Sequence, residues 1–359
     1  MNKHYEERME ADLEEIRNKV KTVSDLVEDQ VQNSVHALLI GDRGQASRVV
    51  LGDRQVNRRI KEIDYLCHSF IVRHAPSARP LRFASAVLRL DVALERVGDY
   101  ADSIGRIVAR LSGPPPGTVS RDIELIANQA RHALSQSLTA FHQGDAELAS
   151  RTYGLADQTD LTLETVIAEL LSVGEKSKRP LDDIFGLLRV ITLIKRVAEQ
   201  SENICEQTIF ALTGKSKDAR VFRILFVGER NDLTSQIAEA YARKAFPESG
   251  VYSSAGWNPT DALDPGLVEY LDGRGIDMRE ARPAVLSDFN RPAEHFHVMV
   301  LLSPDAREKL GDVPYRTTVI EWDLETDSAG GADVYDALYQ EIADKVQHLM
   351  TTLAGPDAR

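Results

Sequence analysis

Apolar residues in the first 214 positions recur every three or four residues, a spacing typical of amphipathic helices. In the first stretch they are Leu13, Ile16, Val20, Val23, Leu26, Val27, Val31, Val35 and Leu38. Gly41 ends that stretch, and segments rich in Pro and Gly at 111–120 and 212–221 interrupt the later ones. The pattern predicts six helices, which run to about 41 and over about 43–73, 80–111, 120–141, 145–173 and 180–212.

Two copies of a three-helix unit account for these helices. HALLIGDRGQASRVV in the first copy corresponds to TAFHQGDAELASRTY in the second, and each has Gly-Asp before a helix, where Asp can cap the first N–H groups. LERVGDYADSIGRIV corresponds in the same way to IKRVAEQSENICEQT. We therefore predict an all-α domain over residues 1–214, made of tandem three-helix bundles at about 1–112 and 118–213.

From residue 221 the pattern changes to short apolar runs that alternate with helical segments. FRILFVG, VYSSAG, HVMVLLS and TTVIEWDL predict strands, and TSQIAEAYARKAF, DPGLVEYLDGRG and DALYQEIADKVQHLM predict helices. This alternation is typical of a parallel sheet with helices on both faces, where sites form at the carboxyl ends of strands. We predict such an α/β domain over residues 221–355, with a candidate site between Gly228 and Ser235.

Composition and charge limit the classes of function. A hydrophobic fraction of 43% with 28% charged residues is ordinary for a soluble globular protein. No apolar run approaches the roughly 18 to 20 residues that span a bilayer, and the charged N-terminus does not resemble a signal peptide, so we expect a cytoplasmic protein that does not insert into membranes. The net charge is −13, and residues 221–359 hold 13 Lys and Arg against 24 Asp and Glu, which disfavours nucleic-acid binding.

The third predicted helix carries a specific resemblance. Glu95-Arg96-Val97-Gly98-Asp99 resembles the helix-three signature of the PhoU family, regulators of phosphate uptake and signalling built from tandem three-helix repeats. Two further family motifs are matched at Pro76, Ala78, Leu81 and Arg82, where Pro80 replaces an Asp, and at Asp53, Val56 and Asn57. The resemblance covers about residues 1–214. It implies a partner such as a phosphate transporter's ATPase or a phosphate-sensing histidine kinase.

The acidic residues of this helix are candidate metal ligands. Asp91, Glu95 and Asp99 are spaced i, i+4, i+8, so they form one stripe, joined by Asp102, that points away from the apolar stripe. We expect the stripe on the outer face of the bundle, near Asp53. The residues alone are compatible with a solvated face or with a surface cation site, because clustered oxygen ligands suit hard or borderline metals. The PhoU resemblance implies divalent or iron-type metal ions on Asp53, Asp91, Glu95 and Asp99.

The second repeat has a weaker version of this motif. Lys195 and Glu199 stand where the first repeat has Glu95 and Asp99, although Asp157 and Asp160 remain on the preceding helix. A lysine removes one carboxylate ligand and adds a positive charge. We therefore predict that any metal prefers the first repeat.

The α/β region, from Arg223 to about Leu353, has a resemblance of its own. Its matches are Asn231, Ser235, Ala238 and Glu239 after the first strand, the segment SSAGWNPTDALDP, and Trp322-Asp323 after the last strand. They resemble the low-molecular-weight protein tyrosine phosphatases and the arsenate reductases that share their fold. Chemistry in that family needs a cysteine thiolate and, later in the same loop, an arginine that binds the phosphoryl oxygens.

Both of those reagents are replaced here. Gly228 occupies the cysteine position and Thr234 the arginine position, and no cysteine follows Cys205. Asp323 matches the family's general acid, but Leu324 replaces the proline that follows it. We predict no catalytic residues and a degenerate phosphate loop marked by Gly228, Asn231, Thr234, Ser235 and Asp323. Because Glu229 and Asp232 lie in this loop, we expect it to be empty of phosphate or closed on itself.

Three functions remain open at this stage. The first is a regulator of phosphate uptake and signalling whose α/β domain is a pseudo-phosphatase used for sensing or interaction. The second is a phosphatase or arsenate reductase with a non-cysteine mechanism, which would need the hydroxyl of Thr234 or Ser235 as nucleophile. The third is a scaffold that forms homo-oligomers through its long amphipathic helices.

Overall fold

The computed structural model describes residues 3–176, 179–215, 221–289, 296–303, 305–311, 313, 317–324, 332–355 and 358–359. The chain divides into two units, Met1–Lys217 and Asp218–Arg359. Within the described residues, no helix is long and apolar enough to cross a membrane.

The regular elements in the described part of the first unit are all helices. Its helices are α1 (Lys3–Ile40), α2 (Arg43–His74), α3 (Ala78–Val108), α4 (Gly117–Gln143), α5 (Ala146–Thr152), α6 (Leu155–Lys176) and α7 (Leu181–Thr213). The prediction of one helix over 145–173 is wrong, because a turn at Tyr153 and Gly154 separates α5 from α6. Glycine has a low helix propensity, which is consistent with a break at this point.

Both Gly-Asp pairs begin helices as the sequence predicts. The Asp42 carboxylate accepts from the N–H of Gln45 at 2.9 Å and caps α2. The Asp145 carboxylate accepts from the N–H groups of Glu147 and Leu148 at 3.0 and 2.9 Å and caps α5. These caps satisfy N–H groups that have no partner inside the helix.

The two repeats share one hydrophobic core. Apolar residues of α1, α2 and α3 join those of α4, α6 and α7 in a single buried cluster, which includes Val27, Leu90, Ile123 and Val190. The third helices of the two repeats, α3 and α7, pack against each other. The repeats therefore form one folded unit instead of two independent bundles.

The linker between the repeats forms hydrogen bonds with residues at the start of α7. Asp183, which is 4% exposed, accepts from the N–H and the hydroxyl of Ser112 and from Arg179. Arg179 also donates to the carbonyls of Gly113 and Pro114 at 2.6 and 2.7 Å. Because each of these polar groups has a partner, the Pro-rich linker can pack against the bundle without a desolvation penalty.

The second unit is a four-stranded parallel sheet in the order β2-β1-β3-β4. The strands are β1 (Phe222–Gly228), β2 (Gly250–Gly256), β3 (Val298–Leu301) and β4 (Thr318–Glu321). The helices are α8 (Thr234–Ala245), α9 (Pro265–Gly273), α10 (Ala306–Lys309) and α11 (Ala332–Ala354), and a 3-10 turn covers Leu286–Phe289. Among the elements in the described part of this unit, α10 and the 3-10 turn were not predicted.

Alternate residues of β1 are buried in different clusters. Ile224 and Phe226 pack with α8, α9 and α11, whereas Leu225 and Val227 pack with α10 and the 3-10 turn. The sheet is therefore covered on both faces, as the near-continuous apolar sequence of β1 predicts. The carboxyl end of β1, at Gly228, opens directly into the candidate loop.

Candidate functional sites

The loop between β1 and α8 is built around Asn231. This residue has φ of 50° and is only 2% exposed. Its side-chain amide donates to Ser235 Oγ at 2.9 Å, and its Oδ1 accepts from Gln236 Nε2 at 3.0 Å and from the N–H of Ala284 at 2.8 Å. Asparagine tolerates the left-handed region better than most residues, so one side chain both permits the turn and fixes it.

The end of β2 supports the loop from outside. A Cβ atom added to Gly256 would lie 2.5 Å from the carbonyl oxygen of Glu229, so only glycine allows this approach. The N–H groups of Asn258 and Thr260 donate to the carbonyls of Glu229 and Arg230 at 3.0 and 3.2 Å. The role of Gly256 was not predicted from the sequence. A glycine at the end of a predicted strand often marks a site where another backbone approaches closely.

Gly228 and Thr234, at the two positions where the sequence predicts the missing reagents, are small and uncharged. A Cβ atom on Gly228 would lie 3.2 Å from Ser235 Oγ and 3.8 Å from Thr234 Oγ1, so the three predicted loop residues do converge on one point. Arg230, the loop's own arginine, has a side chain that is 61% exposed and pairs with Asp232 at 2.9 Å. Its charge is therefore compensated by a carboxylate of the same loop. The expectation that the loop holds no phosphate stays a prediction.

Asp323 lies at the same edge of the sheet as Gly228. It is exposed and follows β4, while Leu324 beside it is buried. Because β3 lies between β1 and β4, the ends of these two strands are separated by about 10 Å, twice the spacing of neighbouring strands.

The acidic residues of α2 and α3 form two groups instead of one stripe. The first group contains Asp53, Asp99 and Asp102. Burial and the charges of Asp102 and Asp99 raise the pKa of Asp53, and burial and Asp102 raise the pKa of Asp99. Asn57 donates to Asp53 Oδ2 at 2.8 Å and Arg106 donates to Asp102 Oδ2 at 2.6 Å, but Oδ1 of both aspartates is buried without a hydrogen-bond partner.

The second group surrounds Asp91, and here the expectation of an outer-face position is wrong. Asp91 is 4% exposed, and neither of its carboxyl oxygens has a hydrogen-bond partner among the described residues. Burial raises its pKa to about 8, with smaller contributions from Asp64 and Glu95. The side chain also lies close enough to Cys67 to raise the pKa of that thiol, which burial brings to about 12. Only Glu95 and Asp99 of the predicted stripe are exposed.

The four predicted metal ligands therefore do not come together as one set. Asp53 and Asp99 belong to the first group, and Asp91 and Glu95 belong to the second. No group of three or more His, Cys, Asp or Glu side chains among the described residues is arranged to hold a metal ion. In the second repeat, Lys195 pairs with Glu199 at 3.1 Å, while the side chains of Asp157 and Asp160 lie outside the described residues.

Comparison with known proteins finds a matching family model in each unit. Residues 20–108 and 123–208 match the PhoU domain, and residues 223–357 match the low molecular weight phosphotyrosine protein phosphatase family. The predicted fold class, tandem PhoU-like helical repeats followed by a parallel α/β domain of this phosphatase type, is thereby confirmed.

Individual proteins similar to this chain include PhoU proteins and an arsenate reductase. The phosphate-specific transport system accessory protein PhoU homolog of Pseudomonas putida is 29% identical over 214 residues, which are 59% of this chain and 83% of the relative. The crystal structure of PhoU from Pseudomonas aeruginosa is 27% identical, with a TM-score of 0.54, and the match covers 57% of this chain and 99% of that chain. A thioredoxin-dependent arsenate reductase of Corynebacterium glutamicum is 23% identical, with a TM-score of 0.31, over 38% of this chain and 64% of that chain.

Proposed function

We propose that this chain regulates phosphate uptake and phosphate signalling through its helical unit, and that its α/β unit is a pseudo-phosphatase used for recognition. The observation that carries the first part is the match of both helical repeats to the PhoU domain, together with relatives named as accessory proteins of phosphate-specific transport. The second part is supported by a loop in which Asn231 keeps the turn while Gly228 and Thr234 occupy the reagent positions.

The proposed partner is a phosphate transporter's ATPase or a phosphate-sensing histidine kinase. The test is affinity purification of the tagged full-length chain after crosslinking in native membranes, from cells grown at high and at low phosphate. We expect one of these two proteins to be enriched over a tag-only control, in an amount that changes with phosphate. Equal recovery in the tagged and tag-only samples at both phosphate levels would contradict the regulatory assignment.

Loss of catalysis makes a separate prediction. The hydroxyl of Ser235 is an unsuitable nucleophile because the residue is 1% exposed and its Oγ accepts from Asn231. Both cysteines are buried in the helical unit with pKa values raised by burial to about 12, so they do not supply a thiolate.

We therefore expect the full chain to hydrolyse p-nitrophenyl phosphate at the rate of a buffer blank, with no change in Asp323→Ala or Thr234→Val. A working general acid would contribute about 10²- to 10⁴-fold, so its removal is easily seen. Turnover that either substitution abolishes would establish the rival enzyme hypothesis.

We also propose that the first acidic group, Asp53, Asp99 and Asp102, binds a divalent or iron-type cation together with nearby amide oxygens, because no three His, Cys, Asp or Glu side chains of the described residues are arranged to hold a metal ion by themselves. Gln30 Oε1 and Asn57 Oδ1 join the two aspartate Oδ1 atoms as buried acceptors without a partner. A Cβ on Gly98 would lie 3.5 Å from Asp53 Oδ1 and 3.9 Å from Gln30 Oε1. The oxygens of Asp53 and Gln30 therefore face the same point of α3. A cation would satisfy the oxygens and offset the repulsion that raises the carboxyl pKa values.

The metal proposal predicts that substitutions in the first acidic group remove bound metal, whereas substitutions in the second group do not. Asp53→Asn/Asp99→Asn is expected to lose most bound metal by elemental analysis of the purified full chain, because it removes two ligand charges. Asp91→Asn/Glu95→Gln, which replaces the same number of carboxyl groups in the second acidic group, is the matched control and is expected to retain the metal. Equal metal content in both variants would refute the assignment to Asp53 and Asp99.

A further inference from the structure

A cleft of about 390 Å³ lies between the two helical repeats. The first repeat lines it with residues of α1 and the start of α3, and the second with the end of α4 and the end of α7. Its volume falls within the range of about 300 to 1,000 Å³ that is common for small-molecule sites. The acidic groups described above contribute no residue to its walls.

One arginine that lines the cleft has no ion-pair partner among the described residues. Arg17 donates to Glu10 at 2.7 Å and to Glu14 at 3.1 Å, so its charge is balanced by carboxylates of its own helix. Arg79, in the first turn of α3, is exposed and forms no ion pair or hydrogen bond with the described residues. A guanidinium without a partner at the edge of a cleft favours an anionic group, which it can bind through two parallel hydrogen bonds.

A second polar group in the cleft lacks a partner. His142 lines the wall, and its Nε2 is buried without a hydrogen bond. Burial and the charge of Lys21 lower the pKa of His142, so the ring is neutral at pH 7. A buried polar atom left without a hydrogen bond costs about 1 to 3 kcal/mol, which a bound ligand would recover.

Part of the remaining wall is apolar. Leu13, Phe141 and Ala211 are 3%, 8% and 5% exposed, and all three line the cleft. Phe83 stacks on Phe141 with a centroid distance of 5.9 Å, and Arg17 lies 5.3 Å from the centre of the Phe83 ring. This packing fixes the shape of the wall and provides apolar surface for the body of a ligand.

We propose that this cleft binds a small organic anion. Its anionic group pairs with Arg79, one polar atom forms a hydrogen bond with His142 Nε2, and its apolar body contacts Leu13 and Ala211. Because α1 and α3 belong to one repeat and α4 and α7 to the other, such a ligand stabilises the packing of the two repeats. The inference does not depend on metal binding or on the α/β loop.

The test uses four probes against the full chain, all measured by calorimetry, and the three organic probes are also measured by ligand-observed saturation-transfer NMR. Phenyl phosphate and benzoate combine an anionic group with an apolar ring and distinguish a phosphate from a carboxylate. Inorganic phosphate lacks the apolar body, and benzyl alcohol lacks the charge. We expect at least one of the first two to bind roughly tenfold or more tightly than both of the last two, the ratio that about 1.4 kcal/mol provides.

Three variants locate the binding. Arg79→Ala is expected to weaken it about tenfold, while Arg121→Ala, which removes an exposed arginine of α4 outside the cleft, leaves it unchanged. Ala211→Trp fills the cleft and is expected to abolish binding; its helical circular dichroism shows whether it folds. The proposal is overturned if neither ring-bearing anion binds, or if binding survives both Arg79→Ala and a folded Ala211→Trp.

Discussion

The stability of the helical unit is expected to fall by about 1.4 kcal/mol per pH unit between about pH 4 and pH 8 because of Asp91. This carboxyl is 4% exposed, and neither of its oxygens has a hydrogen-bond partner. Burial raises its pKa from 3.8 to about 8. In this range the folded state keeps a proton on Asp91 that the unfolded state releases. The contribution of Asp91 to stability is therefore fully present below the unfolded pKa and is lost as pH rises through the folded pKa.

The variant Asp91→Asn isolates this contribution from all other titrating groups. Asparagine is close in size but carries no charge at any pH. The free energy of unfolding of Asp91→Asn minus that of the original chain is expected to grow by about 1.4 kcal/mol for each pH unit from pH 5 to pH 8. Asp99→Asn, on the exposed part of the same helix, is the control and is expected to show a much smaller dependence.

The measurement can separate the two units of the chain. Urea unfolding followed by circular dichroism at 222 nm reports mainly on the helical unit, whereas both tryptophans, Trp257 and Trp322, lie in the α/β unit and report on it by fluorescence. A difference between Asp91→Asn and the original chain that stays constant with pH would mean that Asp91 is not a buried, protonated carboxyl.

The burial of Asp91 could not be predicted from the sequence. The spacing of apolar residues correctly predicts α3, because a helix in a bundle must bury one face. The same geometry places Asp91, Glu95 and Asp99 on one stripe, and this is correct for the helix in isolation. Whether the neighbouring helix covers a given position depends on tertiary packing, and α2 covers Asp91, beside Cys67, while it leaves Glu95 and Asp99 exposed.

The loop between β1 and α8 also has contacts that the sequence does not predict. The sequence predicts its strand, its turn and its helix, because each has a local signal. It also indicates that Asn231 and Ser235 belong to the turn. The hydrogen bond from Ala284, 53 residues away along the chain, and the contact of Gly256 with the Glu229 carbonyl have no local signal, because they are set by how the segment after β2 packs.

Asn231→Ala is expected to reduce the free energy of unfolding of the α/β unit by about 3 to 5 kcal/mol, a large effect for one substitution. Alanine would leave three groups without their present partner: Ser235 Oγ, Gln236 Nε2 and the N–H of Ala284. Ser235 and Gln236 are 1% and 3% exposed, so water does not replace those bonds. Holding alanine at a φ of 50° adds about 1 kcal/mol.

Two further variants divide this effect into its parts. Asn231→Gly accepts the same φ but loses the same hydrogen bonds, so it should be less destabilised than Asn231→Ala by about 1 kcal/mol. Asn258→Ala is the matched control, because Asn258 is exposed and its bond to the Glu229 carbonyl uses the backbone N–H, which alanine keeps. Tryptophan fluorescence during urea unfolding measures all three variants.

The stability of these variants bears on the role of the hydrogen bonds around Asn231. If Asn231→Ala is strongly destabilising while Asn258→Ala is neutral, the Asn231 network is a structural element that joins α8 to the segment at Ala284, and the fold itself requires it. If Asn231→Ala is instead as stable as the control, the network contributes little to folding. The buried hydrogen bonds of Asn231 would then have a role other than stability. The better explanation would be that they shape the loop so that its N–H groups hold a ligand.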